Sequence, residues 1–204
     1  MVEHPSSIIL GSGSPFRRRM LEAAGVAFKV VPAAVDEIKL RVTLTTEKPN
    51  IDPADLAIQL AQAKALDVSR NNPKSLVIGA DQILAACGTT FSKPSSIQEA
   101  HRHLMTLQGR THALHTAVAI AQHGQIDWTH METAIMTMRV LSADDITRYI
   151  RAAGAGICQT VGGYEFEGRG AQLFEKADGD QFTIIGLPLL SLLKELRRRG
   201  VRLP

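Results

Sequence analysis

Ser75, Leu76, Val77, Ile78, Gly79, Ala80 and Asp81 form a short continuous apolar run that ends on a carboxylate. Asn71, Asn72 and Pro73 bound it on one side, so the run predicts a buried strand from Ser75 to Gly79 with Asp81 at its end. In open α/β sheets, strand followed by carboxylate and loop is where chemistry sits. A helix precedes the strand: Asp52 supplies an N-cap, Pro53 suits the first helical position, and Leu56, Leu60 and several alanines make its inner face. Upstream, Val26, Phe28 and Val30 alternate as a short strand running into Asp36 and Glu37, and a polar loop is expected from there to Asp52. Downstream, Ser96 and Glu99 read as a capping box for a helix that reaches Leu107 and stops at Gly109. Residues 110–140 alternate as a meander with a turn at His123 and Gly124. Ser142 and Asp145 start a short helix, a glycine-rich stretch runs from Gly154 to Gly179, and a leucine-rich helix closes at Arg199. No repeat or long linker divides the chain, which is read as a single domain over residues 1–204.

The segment Gly11 to Arg19 follows another apolar run, Ile8–Leu10, and opens a helix with Ser14 as N-cap, Pro15 at the first position and Gly25 placed to end it. Arg17, Arg18 and Arg19 crowd the first turn, where the helix already carries about half a positive charge. An anion reverses that balance, because free N–H groups, the hydroxyls of Ser12 and Ser14, and forked guanidiniums suit phosphate. An exposed helix start with solvated arginines is the other reading of this segment. Arg197, Arg198 and Arg199 lie at a helix C-terminus, where the dipole favours cations and no ligand is needed.

With 204 residues, 45% hydrophobic, the chain can bury a sizeable core. No apolar run approaches the ~18 residues that cross a bilayer, and Met1–Pro5 lacks the regions of a signal peptide, so a cytoplasmic protein with no membrane partner is expected. Cys87 and Cys158 stand alone and are expected as buried thiols. A net charge of +3 suggests anionic ligands, while 4% aromatic residues disfavour nucleic acid as a stable partner. Small phosphorylated ligands fit better. Walker GxxxxGK[ST], HExxH and GxSxG motifs are absent. His101 and His103 are expected to be solvated, and Trp128 to pack within the meander.

Glu37, Lys64, Asp81 and Lys93 each adjoin a structural breakpoint. With Arg17 and Arg18 they would make a cationic cradle holding a carboxylate pair, which is what splitting a polyphosphate requires. Asp81 suits the base, and magnesium or manganese would take one or two carboxylates plus substrate phosphates.

These residues resemble the Maf family of nucleotide pyrophosphatases. The resemblance runs in order from Ser12, Ser14, Pro15, Arg17 and Arg18 through Val35, Asp36 and Glu37, then Ala63, Lys64 and Ala65, then Ile78 to Asp81 and Lys93 with Pro94. It continues through Gly109, Arg110, Thr111 and His112 to Gly186, Leu187 and Pro188. It implies an α/β fold of Maf/ITPase-like type, a mixed twisted sheet with flanking helices forming two lobes around a deep cleft. It also implies cleavage of nucleoside triphosphates to monophosphate and diphosphate with a divalent metal ion (magnesium, manganese or cobalt), Asp81 as proton acceptor, and Glu37 and Asp81 as metal ligands. Glu37, Lys64 and Lys93 match the family's other polar positions, and a homodimer is suggested. Phe16, Gln82 and Glu167 depart from the dTTP/UTP branch and resemble the 7-methyl-GTP branch. A cationic methylated guanine is attracted to an aromatic face by about 0.5–2 kcal/mol. Glu167 could accept from guanine N1–H and its amino group. The dTTP/UTP activity, and a non-catalytic nucleotide or nucleic-acid binding regulator of cell division, stay open at this point.

Overall fold

The computed structural model describes residues 7–202, so the reading of Met1–Pro5 lies outside the described residues. In chain order the elements are β1 (Ile8–Leu10), α1 (Pro15–Ala23), β2 (Lys29–Val30), α2 (Glu37–Glu47), α3 (Pro53–Asn71), β3 (Leu76–Ala86), β4 (Thr89–Phe91) and α4 (Ile97–Leu107). There follow β5 (Thr111–Gln122), β6 (Gln125–Met138), α5 (Ala143–Ala153), three short 3-10 turns, β7 (Phe174–Asp178), α6 (Gln181–Ile185) and α7 (Leu189–Arg198). The sheet is mixed, in the order β2-β1-β3-β5-β6-β7 with β4 on β3: β1 runs parallel to β2 and β3, while β3–β4 and β6–β7 are antiparallel. The chain divides into two compact units, one of residues 7–81, 116–132 and 186–202, the other of residues 82–115 and 133–185. Among the described residues no helix is long and apolar enough to cross a membrane.

Local chemistry accounts for most boundaries. Ser14 Oγ accepts from the Arg17 N–H with Pro15 at the first position, and Gly25 ends α1 at φ 71°. Asp52 caps α3 through the Ala54 N–H. Ser142 and Asp145 cap each other's N–H at α5. At α4 only half of the expected box forms, because Glu99 accepts from the N–H and hydroxyl of Ser95 rather than from Ser96. His123 and Gly124, at φ 52° and 72°, make the two-residue turn between β5 and β6.

Three expectations are corrected. The polar stretch after Glu37 is the helix α2, capped by Asp36 through the Lys39 N–H; none of its residues is buried, so no apolar stripe announced it. The strand foreseen from Val26 shrinks to Lys29–Val30. The strand through Gly79 continues to Ala86, so Asp81 lies in mid-strand rather than at an end. Side-chain settings differ too: Cys87 is exposed and Cys158 half-buried, and His103 is tucked edge-on against Phe91 at 5.0 Å rather than solvated. Trp128 stacks on His130.

In the first unit α3 presses on the sheet through Val68, which packs on Ile9 and Val77. The closest approach is at Gly79, where a Cβ would stand 2.3 Å from Ala61 O and 2.6 Å from Ala65 N. Gly79→Ala should therefore force helix and strand apart and cost about 3 kcal/mol, read as a lowered urea midpoint. An unchanged midpoint would mean that the two elements do not pack this closely.

The second unit buries Leu84, Leu104, Leu114, Met136, Ile146 and Ile150 around an aromatic corner. His112, 2% exposed, meets the Tyr164 hydroxyl at 2.7 Å through Nε2, and burial pushes its pKa down from 6.5 to about 4. A histidine held neutral in the fold contributes stability that is complete above pH 6.5. The unfolded chain binds the extra proton first, so up to about 3 kcal/mol is lost as pH falls from 6.5 toward 4. Urea midpoints across this window should flatten when His112 and Tyr164 are both replaced by Phe. A slope equal to the parent's would assign it to other groups.

Candidate active site

Three elements of the first unit converge on one ammonium. Gly79 and Asp81 are two apart on β3 and share a face. Ala61, Lys64 and Ala65 share a face of α3 by the three-and-four spacing. The contact of those faces brings Lys64 Nζ to 2.7 Å from Asp81 Oδ1, and Glu37, in the first turn of α2, puts Oε2 2.8 Å from the same nitrogen. Lys64 and Asp81 side chains are each 8% exposed, whereas Glu37 is 57% exposed. The pair is therefore desolvated on one side and reachable by solvent on the other.

Arg17 completes the cluster. It lies with Met20 and Leu21 on the buried face of α1, and its guanidinium bonds three separate segments of the unit. Nε donates to Gly186 O at 2.8 Å, and Nη1 donates to Ala80 O at 2.8 Å and to Ser12 Oγ at 3.1 Å. Ser12 Oγ also accepts from the Ser14 N–H. Burial lowers the Arg17 pKa from its ordinary value, and the charges of Asp81 and Glu37 pull it back up. No described residue accepts from Nη2.

The remaining sequence-based candidates divide between the two units. Arg18 points outward onto Glu22 at 2.7 Å, and Arg19 lies over the Phe16 ring at 4.9 Å from its centroid. The second unit contains the others. Gln82 donates from Nε2 to Thr183 O and Ile184 O at 3.0 and 3.1 Å, Lys93 is exposed beside buried Pro94, and Glu167 is exposed in a turn following Phe166. The carbonyls of Ala80 and Gly186 had no role in the sequence reading. A main-chain acceptor has no side-chain signature, although the Gly186-Leu187-Pro188 element marked the place.

The donor set fits a hard divalent cation. Among the described residues no group of three histidines, cysteines or carboxylates gathers, so Glu37 and Asp81 are the oxygen donors that converge. Two carboxylates suit an ion that keeps waters and takes its other oxygens from phosphate. They do not suit a closed site of protein ligands.

Removing Lys64 would leave the buried Asp81 carboxylate without its ammonium partner. Lys64→Met should destabilise the fold by about 3 kcal/mol at pH 7, and adding Asp81→Asn should recover most of the loss, both read from urea unfolding. Additive losses in the double variant would exclude direct coupling of the pair.

A family model described as Maf-like protein matches residues 7–199. A Mesorhizobium japonicum protein named 7-methyl-GTP pyrophosphatase is 48% identical over 193 residues, covering 95% of this chain and 96% of its own. A Brucella abortus protein of the same name is 47% identical over 191 residues, or 94% and 95% of the two chains. A Paramagnetospirillum magneticum protein named nucleoside triphosphate pyrophosphatase is 44% identical over 196 residues, 96% of this chain and all of its own, 100%. Identity of this order over nearly the whole length, spanning every residue of the Arg17, Lys64 and Asp81 cluster, means that the chain belongs to the Maf family.

Proposed function

We propose that the protein is a nucleoside triphosphate pyrophosphatase that hydrolyses 7-methyl-GTP to the monophosphate and diphosphate. The observation that carries this reading is the buried Lys64 ammonium shared by Asp81 and Glu37 beside the Arg17 guanidinium. In the reaction water attacks the α-phosphorus, the bond to the bridging oxygen of the β-phosphate breaks, and diphosphate leaves. Asp81 accepts the proton of the attacking water. Lys64 orients Asp81 by donating to its Oδ1, and Arg17 offers Nη2 to the phosphates together with the hydroxyls of Ser12 and Ser14. Arg18 and Lys93, both exposed, are assigned to the outer phosphates. A divalent ion held by Glu37 and Asp81 would neutralise charge on the triphosphate.

For the base, support comes from chemistry and from the names of the relatives. Glu167 accepts hydrogen bonds from guanine N1–H and the 2-amino group, a contact thymine and uracil do not offer. Phe16 carries Arg19 on one face of its ring and stacks with its other face on the cationic base. Gln82, whose amide nitrogen donates to two carbonyls of α6, is assigned to recognition of the base. The reading includes a cytoplasmic homodimer without a nucleic-acid partner, and sedimentation of the purified protein tests the dimer.

The deciding assay sets purified protein with magnesium, manganese or cobalt against 7-methyl-GTP, GTP, UTP and dTTP and scores diphosphate against orthophosphate. Diphosphate from 7-methyl-GTP at the highest kcat/KM is expected. Preference for dTTP or UTP would move the protein to the sister activity, and no metal-dependent release would leave a nucleotide binder. Asp81→Asn should lower kcat by about a thousandfold while the fold persists. Retained turnover in that variant would remove Asp81 from its role.

A further inference from the structure

The turn that carries Glu167 is closed on itself. Gly162 and Gly163 lead into it at φ 77° and 76°, and a Cβ on Gly162 would stand 2.6 Å from Leu84 Cδ1 and 2.9 Å from Tyr164 Cε1. The Glu165 carbonyl then accepts from the N–H groups of Gly168 and Gly170 at 3.2 and 3.0 Å, and a Cβ on Gly170 would lie 2.4 Å from that oxygen. Residues 165–170 thus form a preset unit, and its orientation depends on what holds Glu165. One tyrosine hydroxyl bonds its backbone, and a second fixes the residue before it. The Glu165 N–H donates to Tyr149 Oη at 3.3 Å, and the preceding residue, Tyr164, is held through its own hydroxyl by His112 Nε2 at 2.7 Å.

Packing alone does not explain the His112–Tyr164 bond. Neutral imidazole has one N–H and phenol one O–H. His112 Nδ1 is buried without a partner, and the Tyr164 hydroxyl makes no other bond among the described residues. If the phenol donates to Nε2, the Nδ1–H is unsatisfied; if Nε2–H donates, the phenol hydrogen is. Two phenylalanines would fill the same corner, beside Phe174 at 4.8 Å from the Tyr164 ring, without that penalty. What the bond adds is direction: it fixes the Tyr164 ring one peptide away from Glu165.

We propose that His112 and Tyr164 are positioning residues for base selection, their bond setting the orientation of the Glu165–Gly170 turn and so of the Glu167 carboxylate. The inference rests on the proposed reading of guanine by Glu167, and its test separates the two. Steady-state kinetics with 7-methyl-GTP and UTP, together with urea midpoints, are compared for the parent, Tyr164→Phe, the His112→Phe/Tyr164→Phe pair and Glu167→Gln. In Tyr164→Phe the KM for 7-methyl-GTP should rise about tenfold with kcat and the UTP parameters within about twofold, as for a recognising group slightly misplaced. The double variant, with no unsatisfied polar group left, should regain stability but not selectivity. If both variants keep the preference while Glu167→Gln loses it, the positioning role is overturned and base reading stands. If kcat/KM falls equally for both nucleotides in step with stability, the pair is structural and the proposal fails. If Glu167→Gln leaves the preference intact, base reading falls and the inference with it.

Discussion

The closeness of α3 to β3 is the constraint on which the candidate site depends. Without a side chain at Gly79 the helix backbone comes within reach of the strand, and Lys64, one turn along from Ala61, meets Asp81, two residues along from Gly79. A longer helix-to-strand distance would leave the ammonium short of the carboxylate. The same contact also buries the pair, and that burial is not a route to stability. Two charges lose hydration that their attraction only partly returns, and apolar residues of similar size would do as well. Under the proposed function the ion pair would therefore serve the chemistry of the site, where it fixes the orientation of a carboxylate at low solvent exposure while Glu37 is 57% exposed.

Arg17 plays a different part from its two neighbours. Its three bonds to neutral oxygens join the loop before α1, the strand residue preceding Asp81 and the element preceding α7. A guanidinium reaches all three at once from two nitrogens of its planar fork, with the geometry preset. At the other end of the chain, Arg198 and Arg199 both bond the carboxylate of buried Glu195, and Arg199 reaches Asp127 as well. One triplet contains a cation whose direct partners are all uncharged, and in the other Arg198 and Arg199 pair with acids.

Much of this was legible in the residues. Caps, proline positions and the His123-Gly124 turn are local chemistry, and they mark α1, α3, α5 and the β5–β6 hairpin without tertiary information. Successive helical residues point about a third of a turn apart, so Arg17, Arg18 and Arg19 could not all face one ligand. The spacing of Arg17 to Met20 and Leu21, which had no role in the sequence reading, is the signal that marks the buried one. The helix α2 left no such signal, since Ile38 and Val42 are 79% and 58% exposed and no face is apolar enough to stand out. Asp81 was misplaced to a strand end because a carboxylate reads as a terminator. In the fold a lysine from another element offsets its charge, and the strand runs on through Ile83, Leu84 and Ala86.

The formal charges of the cluster add a further step. Arg17 and Lys64 supply two positive charges, Asp81 and Glu37 two negative ones, and the group is balanced before anything binds. A triphosphate approaching alone meets two carboxylates as well as two cations, and a divalent cation approaching alone meets a guanidinium and an ammonium. Neither gains much, because attraction and repulsion fall within a few ångströms of each other. A species bearing both signs gains from all four groups at once, its anionic oxygens set against Nη2 of Arg17 and its cationic part against Glu37 and Asp81. Under the proposed function these side chains would therefore select a nucleotide together with its counter-ion, with the exposed carboxylate of Glu37 meeting that pair as it arrives.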